Sequence, residues 1–268
     1  MSNETTPTNA DGIDIDPDEQ RRMVRERYGD IAAESSGCCG DTADPDEQTR
    51  ALYSDDEIRD VDPGADLGLG CGNPTAIASL EPGEAVLDLG SGAGFDCFLA
   101  AREVGQDGRV IGVDMTPAMI EKARENVVKN EAENVEFRLG EIEHLPVADG
   151  SVDVIISNCV VNLSPDKPQV FREAFRALRP GGRLAISDVV LTARLPSDVR
   201  NDPGSLSACV AGASPISELE SMLDTAGFDD VSIEPKEESE SFIREWDDDR
   251  DLSEYLVSAN IEGRKPDR

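Results

Sequence analysis

The chain has 268 residues, of which 38% are hydrophobic, enough to bury the core of one α/β domain with a smaller appendage. Its 57 acidic and 25 basic side chains give a formal net charge of −32, which argues against nucleic acid and anionic membranes as partners. The N-terminus has no basic region followed by an apolar stretch, and no run of 18 apolar residues occurs, so we expect a cytoplasmic protein.

The negative charge is spread over the whole chain. Only five of the basic residues are lysines, which is not the lysine and glutamate enrichment of hyperthermophile proteins. Molar salt shortens the range of repulsion between carboxylates to about 3 Å. The composition therefore predicts an acidic, halophilic protein that loses stability in dilute buffer.

The N-terminal part of the chain divides into two predicted segments. Residues 1–18 are polar and acidic, with too little apolar surface to fold, and we expect a disordered acidic tail. Residues 19–79 are predicted to form N-terminal helices and cysteine-bearing loops. One helix is predicted to end at Gly29, and another to begin at Ser54 as its N-cap.

Residues 80–190 alternate between short apolar runs and amphipathic stretches. Strands are predicted over residues 85–89, 109–114, 134–139, 151–157 and 183–189, with helices over 95–104, from Pro117 after a Thr116 cap, and over 168–178 until Arg179-Pro180-Gly181-Gly182. This alternation predicts a doubly wound, Rossmann-like α/β sheet. Residues 191–268 are predicted to be a small α+β region that binds substrate, with a helix over 217–226 and strands near 231–234 and 255–260.

A glycine-rich turn follows the first predicted strand. Gly90, Gly92 and Gly94 allow a tight turn and let a ligand approach the backbone N–H groups. The third glycine comes one residue early for a dinucleotide fingerprint, and Asp88 puts a negative charge where a pyrophosphate would lie. The turn therefore favours S-adenosylmethionine, which carries a sulfonium and an ammonium and no phosphate.

Side chains after the second and third strands complete this predicted site. Asp114 can accept hydrogen bonds from both ribose hydroxyls, and Met115 offers the adenine a soft apolar surface. Core packing is the alternative role for Met115 and Ile142, and a solvated carboxylate is the alternative for Asp88 and Asp114. The predicted cofactor-binding residues are Asp88, Gly90, Ser91, Gly92, Gly94, Asp114, Met115, Glu141, Ile142 and Asn158.

Three of these stretches resemble a known superfamily. Residues 86–96, 112–115 and 178–184 resemble the class I S-adenosylmethionine-dependent methyltransferases. The similarity covers roughly residues 80–190, and it implies the fold and the cofactor. It says little about the substrate, because one fold serves many functions.

Six cysteines are the other chemical feature of the chain. In a reducing compartment they favour thiol chemistry over a structural disulfide framework, and no C-x-x-C pair suggests a structural zinc site. Cys159 follows the fourth strand, at the sheet edge where doubly wound folds bind ligands, and Cys209 lies in a segment interrupted by glycines. Unrelated buried thiols are the alternative, and we assign Cys97 to it.

A second similarity extends over nearly the whole chain after the tail. Residues 28–32, 36–40, 64–74, 157–167 and 255–266 resemble the arsenite methyltransferases. This resemblance implies that Cys71, Cys159 and Cys209 hold trivalent arsenic as thiolates. It also implies that Cys38 or Cys39 delivers the metalloid or resolves a disulfide, with thioredoxin or a small thiol as the external reductant.

The implied reaction needs alignment and desolvation more than proton abstraction, because the lone pair of arsenic is the nucleophile. The presence of a single histidine, His144, agrees with this, although Asp153 or Asp188 offers a carboxylate base. Two other functions stay open. One is methylation of a small organic acceptor, such as a quinone or sterol precursor, and the other is thiol-based metalloid or zinc binding without methyl transfer.

Overall fold

A computed structural model describes residues 15–34, 47–200, 202, 204–205, 209–247 and 250–267. Most of the predicted tail, and the Cys38–Cys39 pair, lie outside these residues. Among the described residues, none of the helices combines the length and apolar character that crossing a membrane requires.

The described strands form one mixed sheet. They are β1 (Ala85–Leu89), β2 (Arg109–Asp114), β3 (Val135–Leu139), β4 (Val152–Asn158), β5 (Leu178–Leu191), β6 (Ser214–Pro215), β7 (Asp229–Lys236) and β8 (Leu256–Arg264). Their order is β3-β2-β1-β4-β5-β8-β7, with β6 paired to β5. Strands β1 to β5 run parallel, whereas β8 is antiparallel to both β5 and β7. The predicted doubly wound α/β sheet is confirmed, and its strand order reverses between β1 and β4.

Helices cover both faces of the sheet and its carboxyl edge. They are α1 (Pro17–Glu34), α2 (Glu47–Leu52), α3 (Asp55–Asp60), α4 (Pro74–Ala78), α5 (Phe95–Val104), α6 (Pro117–Lys129), α7 (Lys167–Ala177), α8 (Ser197–Arg200), α9 (Ile216–Ala226) and α10 (Glu240–Ile243). Successive strand residues point to opposite faces, so β1 serves two cores. Val86 packs in the core with Phe98 of α5, and Leu87 packs in the core with Phe171 of α7. Burial on both faces explains why all five residues of β1 are buried and why four of them are apolar, with Asp88 as the exception.

Helix α1 is longer than predicted. It continues through Gly29 to Glu34, although glycine inside a helix costs about 1 kcal/mol relative to alanine. Val24 and Ala32 are buried on one side of the helix, and the half-buried Tyr28 lies between them. Packing of this side outweighs the local cost of Gly29.

The segment Arg179-Pro180-Gly181-Gly182 was predicted to separate a helix from a strand, and this prediction is wrong. Strand β5 already begins at Leu178, which pairs with Val152, and the register shifts before the next pair. Gly181 has a φ of 77° and its N–H donates to the Lys265 carbonyl, so the turn-forming residues build a bulge inside the strand.

The last part of the chain completes the same sheet. Strand β8 pairs with β5 along its whole length, and β7 pairs with β8. Helix α9 ends as predicted at Gly227, which has a φ of 104°. The four-segment division of the chain stays a prediction.

Candidate active site

One cavity opens at the carboxyl ends of β1, β2 and β4, where the strand order reverses. Counting its open mouth, it encloses about 1150 Å³ of empty space. We call it the first cavity. Of the predicted cofactor-binding residues, it is lined by Asp88, Gly90, Ser91, Gly92, Asp114, Met115, Ile142 and Asn158. Gly94 and Glu141 are not part of this lining, and Glu143 takes part in it.

The glycine-rich turn forms one wall of the first cavity. Gly90, Gly92 and Gly94 have φ angles of 71°, 51° and 100°, a region that side chains with a Cβ rarely adopt. A Cβ on Gly92 would meet no atom within 4 Å, so this backbone faces open space. The neighbouring Ser91 hydroxyl is buried and has no hydrogen-bond partner among the residues that the structure describes. The wall therefore offers a backbone surface and an unsatisfied hydroxyl to a ligand.

Asp114 ends β2 at the cavity. One carboxylate oxygen accepts the Gly92 N–H at 3.0 Å and the other accepts the Thr116 N–H at 2.8 Å. Burial raises the pKa of Asp114, and these backbone hydrogen bonds oppose the increase. Thr116 occupies the N-cap position of α6, but its side chain does not cap the helix as predicted. The Asp114 carboxylate ties the glycine turn to the end of β2.

A buried acidic network lies deeper in the first cavity. The Asp88 carboxylate is 3% exposed and accepts a hydrogen bond from the Cys97 thiol at 3.2 Å. Asp96 accepts hydrogen bonds from the Tyr53 hydroxyl at 2.8 Å and from the Asn158 amide at 3.2 Å. Burial raises the pKa of Asp96 to about 6 and that of Asp88 well above its usual value.

Helix α1 covers another side of the first cavity. Arg21, Val24 and Tyr28 are among its lining residues. Arg21 lies 3.6 Å from a carboxylate oxygen of Glu141 and 3.7 Å from one of Glu143, which the Ser164 hydroxyl also contacts at 2.6 Å. Glu141, one of the predicted cofactor-binding residues, thus pairs with an arginine of the covering helix.

These features fit S-adenosylmethionine. Two groups are available to contact a ligand: the backbone at Gly92, which faces open space, and the Ser91 hydroxyl, which has no partner among the described residues. Among the described residues, five acidic side chains line the cavity, Asp66, Asp88, Asp96, Asp114 and Glu143, together with a single arginine, Arg21. A sulfonium and an ammonium gain from this excess of carboxylates, whereas a pyrophosphate would be repelled.

Of the three cysteines predicted to hold arsenic, Cys159 lines this cavity, and Cys71 and Cys209 each contact Cys159. Cys71 and Cys159 form a disulfide, with their Cα atoms 5.9 Å apart, and Cys159 lines the first cavity. The Cys209 thiol is 2.7 Å from the Cys159 carbonyl oxygen. The sulfur atoms of Cys71 and Cys159 and a carboxylate oxygen of Asp188 are all within 4.8 Å of one another. Cys209 does not belong to this set, so two of the three predicted sulfur ligands meet within that distance and the third contacts the Cys159 backbone.

The disulfide differs from the expected set of free thiolates. The sequence favours thiols over a disulfide, but the end of β4 and the loop before α4 bring two sulfur atoms into bonding contact. Cys97 and Cys209 are free and buried. The structure thus represents an oxidised form of the cysteine cluster.

Two of these cysteines have unusual backbone geometry. Cys159 has a φ of 55° and Cys209 a φ of 65°, in the left-handed region that favours glycine. Such residues cost of order 1–3 kcal/mol and cluster at functional sites. The fold holds both residues there through packing with Val189, Leu195 and other apolar side chains.

Tyr28 joins α1 to the cysteine cluster. It lines the first cavity and also a second one, whose lining includes Cys159 and Cys209. Burial and the nearby Asp188 raise the pKa of the Cys209 thiol well above its usual value, and a hydrogen bond with Tyr28 opposes the increase. Burial likewise raises the pKa of Asp188 to about 6.

Several residues of the site have no clear signal in the sequence. Tyr28 belongs to a stretch that resembles the arsenite methyltransferases, but nothing local indicates its contact with Cys209. Tyr53 and Asp96 act through hydrogen bonds across the fold; the position of Asp96, two residues after the last glycine of the turn, is the only hint. The predicted Cys38–Cys39 pair lies outside the described residues.

Comparisons with known proteins show to which proteins the chain is related. A model of the methyltransferase domain matches residues 80–227. The chain is 64% identical to the arsenite methyltransferase of Halobacterium salinarum over 95% of its own length and 69% of that protein. It is 40% identical to the human arsenite methyltransferase over 53% of its own length, and it spans only 40% of that protein.

A solved structure gives the same result. The crystal structure of an arsenic(III) S-adenosylmethionine methyltransferase from Chlamydomonas reinhardtii is similar with a TM-score of 0.62 and 36% identity, covering 83% of this chain and 74% of that one. The fold, the cofactor cavity and these similarities lead to one conclusion. The chain belongs to the arsenite methyltransferase family of S-adenosylmethionine-dependent enzymes.

Proposed function

We propose that this chain methylates trivalent arsenic, as arsenite and methylarsenite, while Cys71, Cys159 and Cys209 hold it as thiolates. The observation that carries the proposal is the position of Cys159. This residue lines the cofactor cavity, bonds to Cys71, and offers its carbonyl to the Cys209 thiol. A substrate bound at this cluster lies beside the place where a methyl donor binds.

The cysteines provide the binding chemistry. Each arsenic–sulfur bond forms as a thiol proton leaves with a hydroxide of arsenite as water, so three thiols release three waters. Arsenic bound in this way keeps a lone pair, which would form the arsenic–carbon bond as the sulfur–methyl bond of the donor breaks and leaves S-adenosylhomocysteine. The transfer would formally oxidise arsenic from the trivalent to the pentavalent state, so two electrons from thiols would have to return it to the trivalent state before a second methyl transfer. Bound S-adenosylmethionine supplies an electrophilic methyl group on its sulfonium.

The protein contributes position and a dry, negative environment. Cys71, Cys159 and Cys209 are 1%, 6% and 4% exposed, so arsenic held by them is largely shielded from water. Asp88, Asp96 and Asp114 favour a cationic donor over the neutral product left after transfer. Tyr28 holds Cys209 from the side of α1. Alignment of these groups is the main catalytic contribution.

The oxidised cluster needs a reductant before arsenic can bind. A dithiol, or two equivalents of a small thiol, transfers two electrons and two protons to the Cys71–Cys159 disulfide and yields two thiols. Thioredoxin or a glutathione-like thiol is the proposed external donor. Cys38 or Cys39 is proposed to deliver the metalloid or to resolve the disulfide.

The direct test is a methylation assay. The purified chain, in high salt with arsenite, labelled S-adenosylmethionine and a reductant, should produce methylated arsenic species identifiable by speciation. Omission of the reductant should leave the disulfide in place and abolish the product. Binding of arsenite without methylated product would instead support metalloid binding alone, and transfer of label to a quinone or sterol precursor would support an organic acceptor.

A further inference from the structure

The side chain of Asn158 occupies an unusual position between the two disulfide-bonded cysteines. Asn158 ends β4 and is the immediate neighbour of Cys159 in the chain. The side-chain oxygen of Asn158 (Oδ1) accepts the Cys71 N–H at 3.0 Å, and its side-chain nitrogen (Nδ2) donates to the Gly72 carbonyl at 2.8 Å. One side chain therefore binds two backbone groups of the cysteine loop, the N–H of Cys71 and the carbonyl of Gly72.

Two buried side chains, Tyr53 and Asp96, also contact the Asn158 side-chain amide. Its nitrogen also lies 2.9 Å from the Tyr53 hydroxyl and 3.2 Å from the Asp96 carboxylate, to which the tyrosine hydroxyl donates. Tyr53 and Asp96 are both buried. A side chain held at both ends loses little further freedom when it binds the loop.

The two glycines that flank Cys71 allow this close contact. A Cβ on Gly70 would lie 2.8 Å from the Asn158 amide nitrogen, and one on Gly72 would lie 1.8 Å from the Ser187 hydroxyl. The Ser258 hydroxyl donates to the Cys71 carbonyl at 2.8 Å. The two glycines thus allow the backbone to lie directly on Asn158 and Ser187.

We propose that Asn158 is a positioning residue that keeps Cys71 within bonding reach of Cys159 when the disulfide is reduced. The sequence predicts that Asn158 binds the cofactor, and Asn158 does line the first cavity, but its side-chain oxygen and nitrogen contact the Cys71 loop, Tyr53 and Asp96. The inference rests on the proposed function only in treating the reduced pair as the state that receives arsenic. It gives the pair a high effective concentration without the covalent bond.

The test is the thiol–disulfide equilibrium of this pair, measured without arsenic or S-adenosylmethionine. The full chain is equilibrated with mixtures of reduced and oxidised dithiothreitol, and alkylated peptides that contain Cys71 and Cys159 are quantified by mass spectrometry. Dithiothreitol gives up two electrons and two protons as the protein disulfide becomes two thiols. We expect Asn158→Ala to lower the equilibrium constant for disulfide formation at least tenfold.

Asn134→Ala is the matched control. The Asn134 amide donates to the carbonyls of Ala101 and Gly105, a comparable pair of backbone contacts away from the cysteines. This variant should stay within twofold of the unmodified chain. An equal decrease in both variants would show general loosening of the fold and would overturn the proposal.

Asn158→Asp provides a second variant if the alanine chain does not fold. It keeps an oxygen for the Cys71 N–H but loses the donor to Gly72 and faces Asp96, so we expect a decrease of about half the alanine effect on a logarithmic scale. An unchanged equilibrium in either Asn158 variant, with weakened binding of S-adenosylhomocysteine, would make Asn158 a cofactor residue and overturn the inference. Absence of methylation in the unmodified chain would contradict the proposed function and leave this equilibrium measurement valid.

Discussion

The backbone conformation differs among the three cysteines of the cluster, Cys71, Cys159 and Cys209. Cys159 leaves β4 with a φ of 55°, which turns its chain away from the sheet, and its N–H donates to the Ser187 carbonyl at 2.8 Å. Cys209 has a φ of 65° and points its thiol at the Cys159 carbonyl. Cys71 keeps an ordinary backbone and is held by hydrogen bonds from other elements. The strain is concentrated at the two cysteines nearest the cavities.

Substitution of these cysteines should separate their roles. We expect Cys159→Ser and Cys209→Ser each to abolish methylation of arsenite and of methylarsenite, because a hydroxyl is a poor ligand for trivalent arsenic. Cys71→Ser should spare methylarsenite more than arsenite, because methylarsenite needs one sulfur fewer. Arsenic speciation after incubation with each substrate measures the difference.

Cys97→Ser is the matched control for these variants. Cys97 is buried on α5 and donates to Asp88, and a serine hydroxyl can donate in the same way. This variant should retain methylation within about twofold, because serine keeps the hydrogen bond to Asp88. Such a bond contributes about 1 kcal/mol. Full activity of Cys159→Ser or Cys209→Ser would contradict the assignment of the arsenic site.

Protonation of Asp96 gives the cofactor site a pH dependence. Its pKa is raised to about 6 by burial, so the carboxylate is ionised at neutral pH and becomes neutral as the pH falls below that value. Loss of this charge should weaken binding of S-adenosylmethionine about tenfold, equal to about 1.4 kcal/mol. Calorimetric titration at pH 5 and pH 7.5 measures the change.

S-adenosylhomocysteine serves as the control ligand because it lacks the sulfonium charge. Its affinity should change much less over the same interval, so the ratio of the two affinities isolates the charge effect. The stability of the free protein should respond in the opposite direction. A raised carboxyl pKa means that the folded state binds the proton more tightly, so Asp96 favours folding more as the pH falls towards 4. If the affinities of both ligands fell equally between pH 7.5 and pH 5, the charge of Asp96 would not be the cause of the pH dependence.

Part of this site could be predicted from local sequence and part could not. Asp88, Asp114 and the glycine turn follow apolar strands, and the sheet rule places strand ends together. Tyr28, Tyr53 and Asp96 contact their partners only after α1 and the loops fold onto the sheet edge. The disulfide could not be predicted, because the spacing of Cys71 and Cys159 in sequence says nothing about their separation in space.

At the scale of elements, strand and helix positions followed apolar periodicity closely. β1, α5 and β2 have the predicted bounds, since each is buried in the core, β1 and α5 end directly before a glycine, and β2 ends at Asp114. Elements whose ends depend on distant partners were predicted less well. β8 extends to Arg264 because β5 supplies partners along its whole length, and the pattern near residue 260 does not show this.

Helix α1 offers a direct test of packing against propensity. Gly29 lies inside the helix, and a Cβ there would meet no atom within 4 Å. Gly29→Ala should therefore raise the free energy of unfolding by about 0.5–1 kcal/mol, through helix propensity and a less flexible unfolded chain. Urea denaturation at constant high salt measures the change.

Gly112→Ala is the contrasting substitution. A Cβ at Gly112 would lie 2.5 Å from the Phe137 ring and 2.7 Å from the Ser91 hydroxyl oxygen. This variant should lose about 1–3 kcal/mol of stability through overpacking and should also bind the cofactor less tightly. Stabilisation by Gly112→Ala, or destabilisation by Gly29→Ala, would contradict this account of the two positions.

At the scale of the whole molecule, charge is the dominant feature. Many of the arginines pair with surface carboxylates, as Arg22 does with Glu19 and Glu26, and Arg250 with Asp198. Exposed pairs of this kind contribute about 0–1 kcal/mol each. Because acidic side chains outnumber basic ones by more than two to one, such pairs leave most of the negative charge unbalanced. Self-repulsion therefore opposes the compact state.

The repulsion predicts a fold that depends on salt. Raising potassium chloride from about 0.1 M to 2 M shortens the screening length from about 10 Å to a few ångströms, so repulsion between distant carboxylates should largely disappear. We expect the thermal midpoint to rise by roughly 10 °C, which corresponds to about 3 kcal/mol for a chain of this size. Calorimetry or circular dichroism at several salt concentrations measures this shift.

Two controls separate screening from stronger apolar burial. Sucrose at the same osmolality favours the compact state without screening charge, so it should give a smaller increase. Glu121→Gln combined with Glu220→Gln removes two exposed charges from α6 and α9, and this variant should be more stable than the unmodified chain at low salt and nearly equal to it at high salt. An unchanged midpoint between low and multimolar potassium chloride would mean that the carboxylates are spaced widely enough for water alone to screen them.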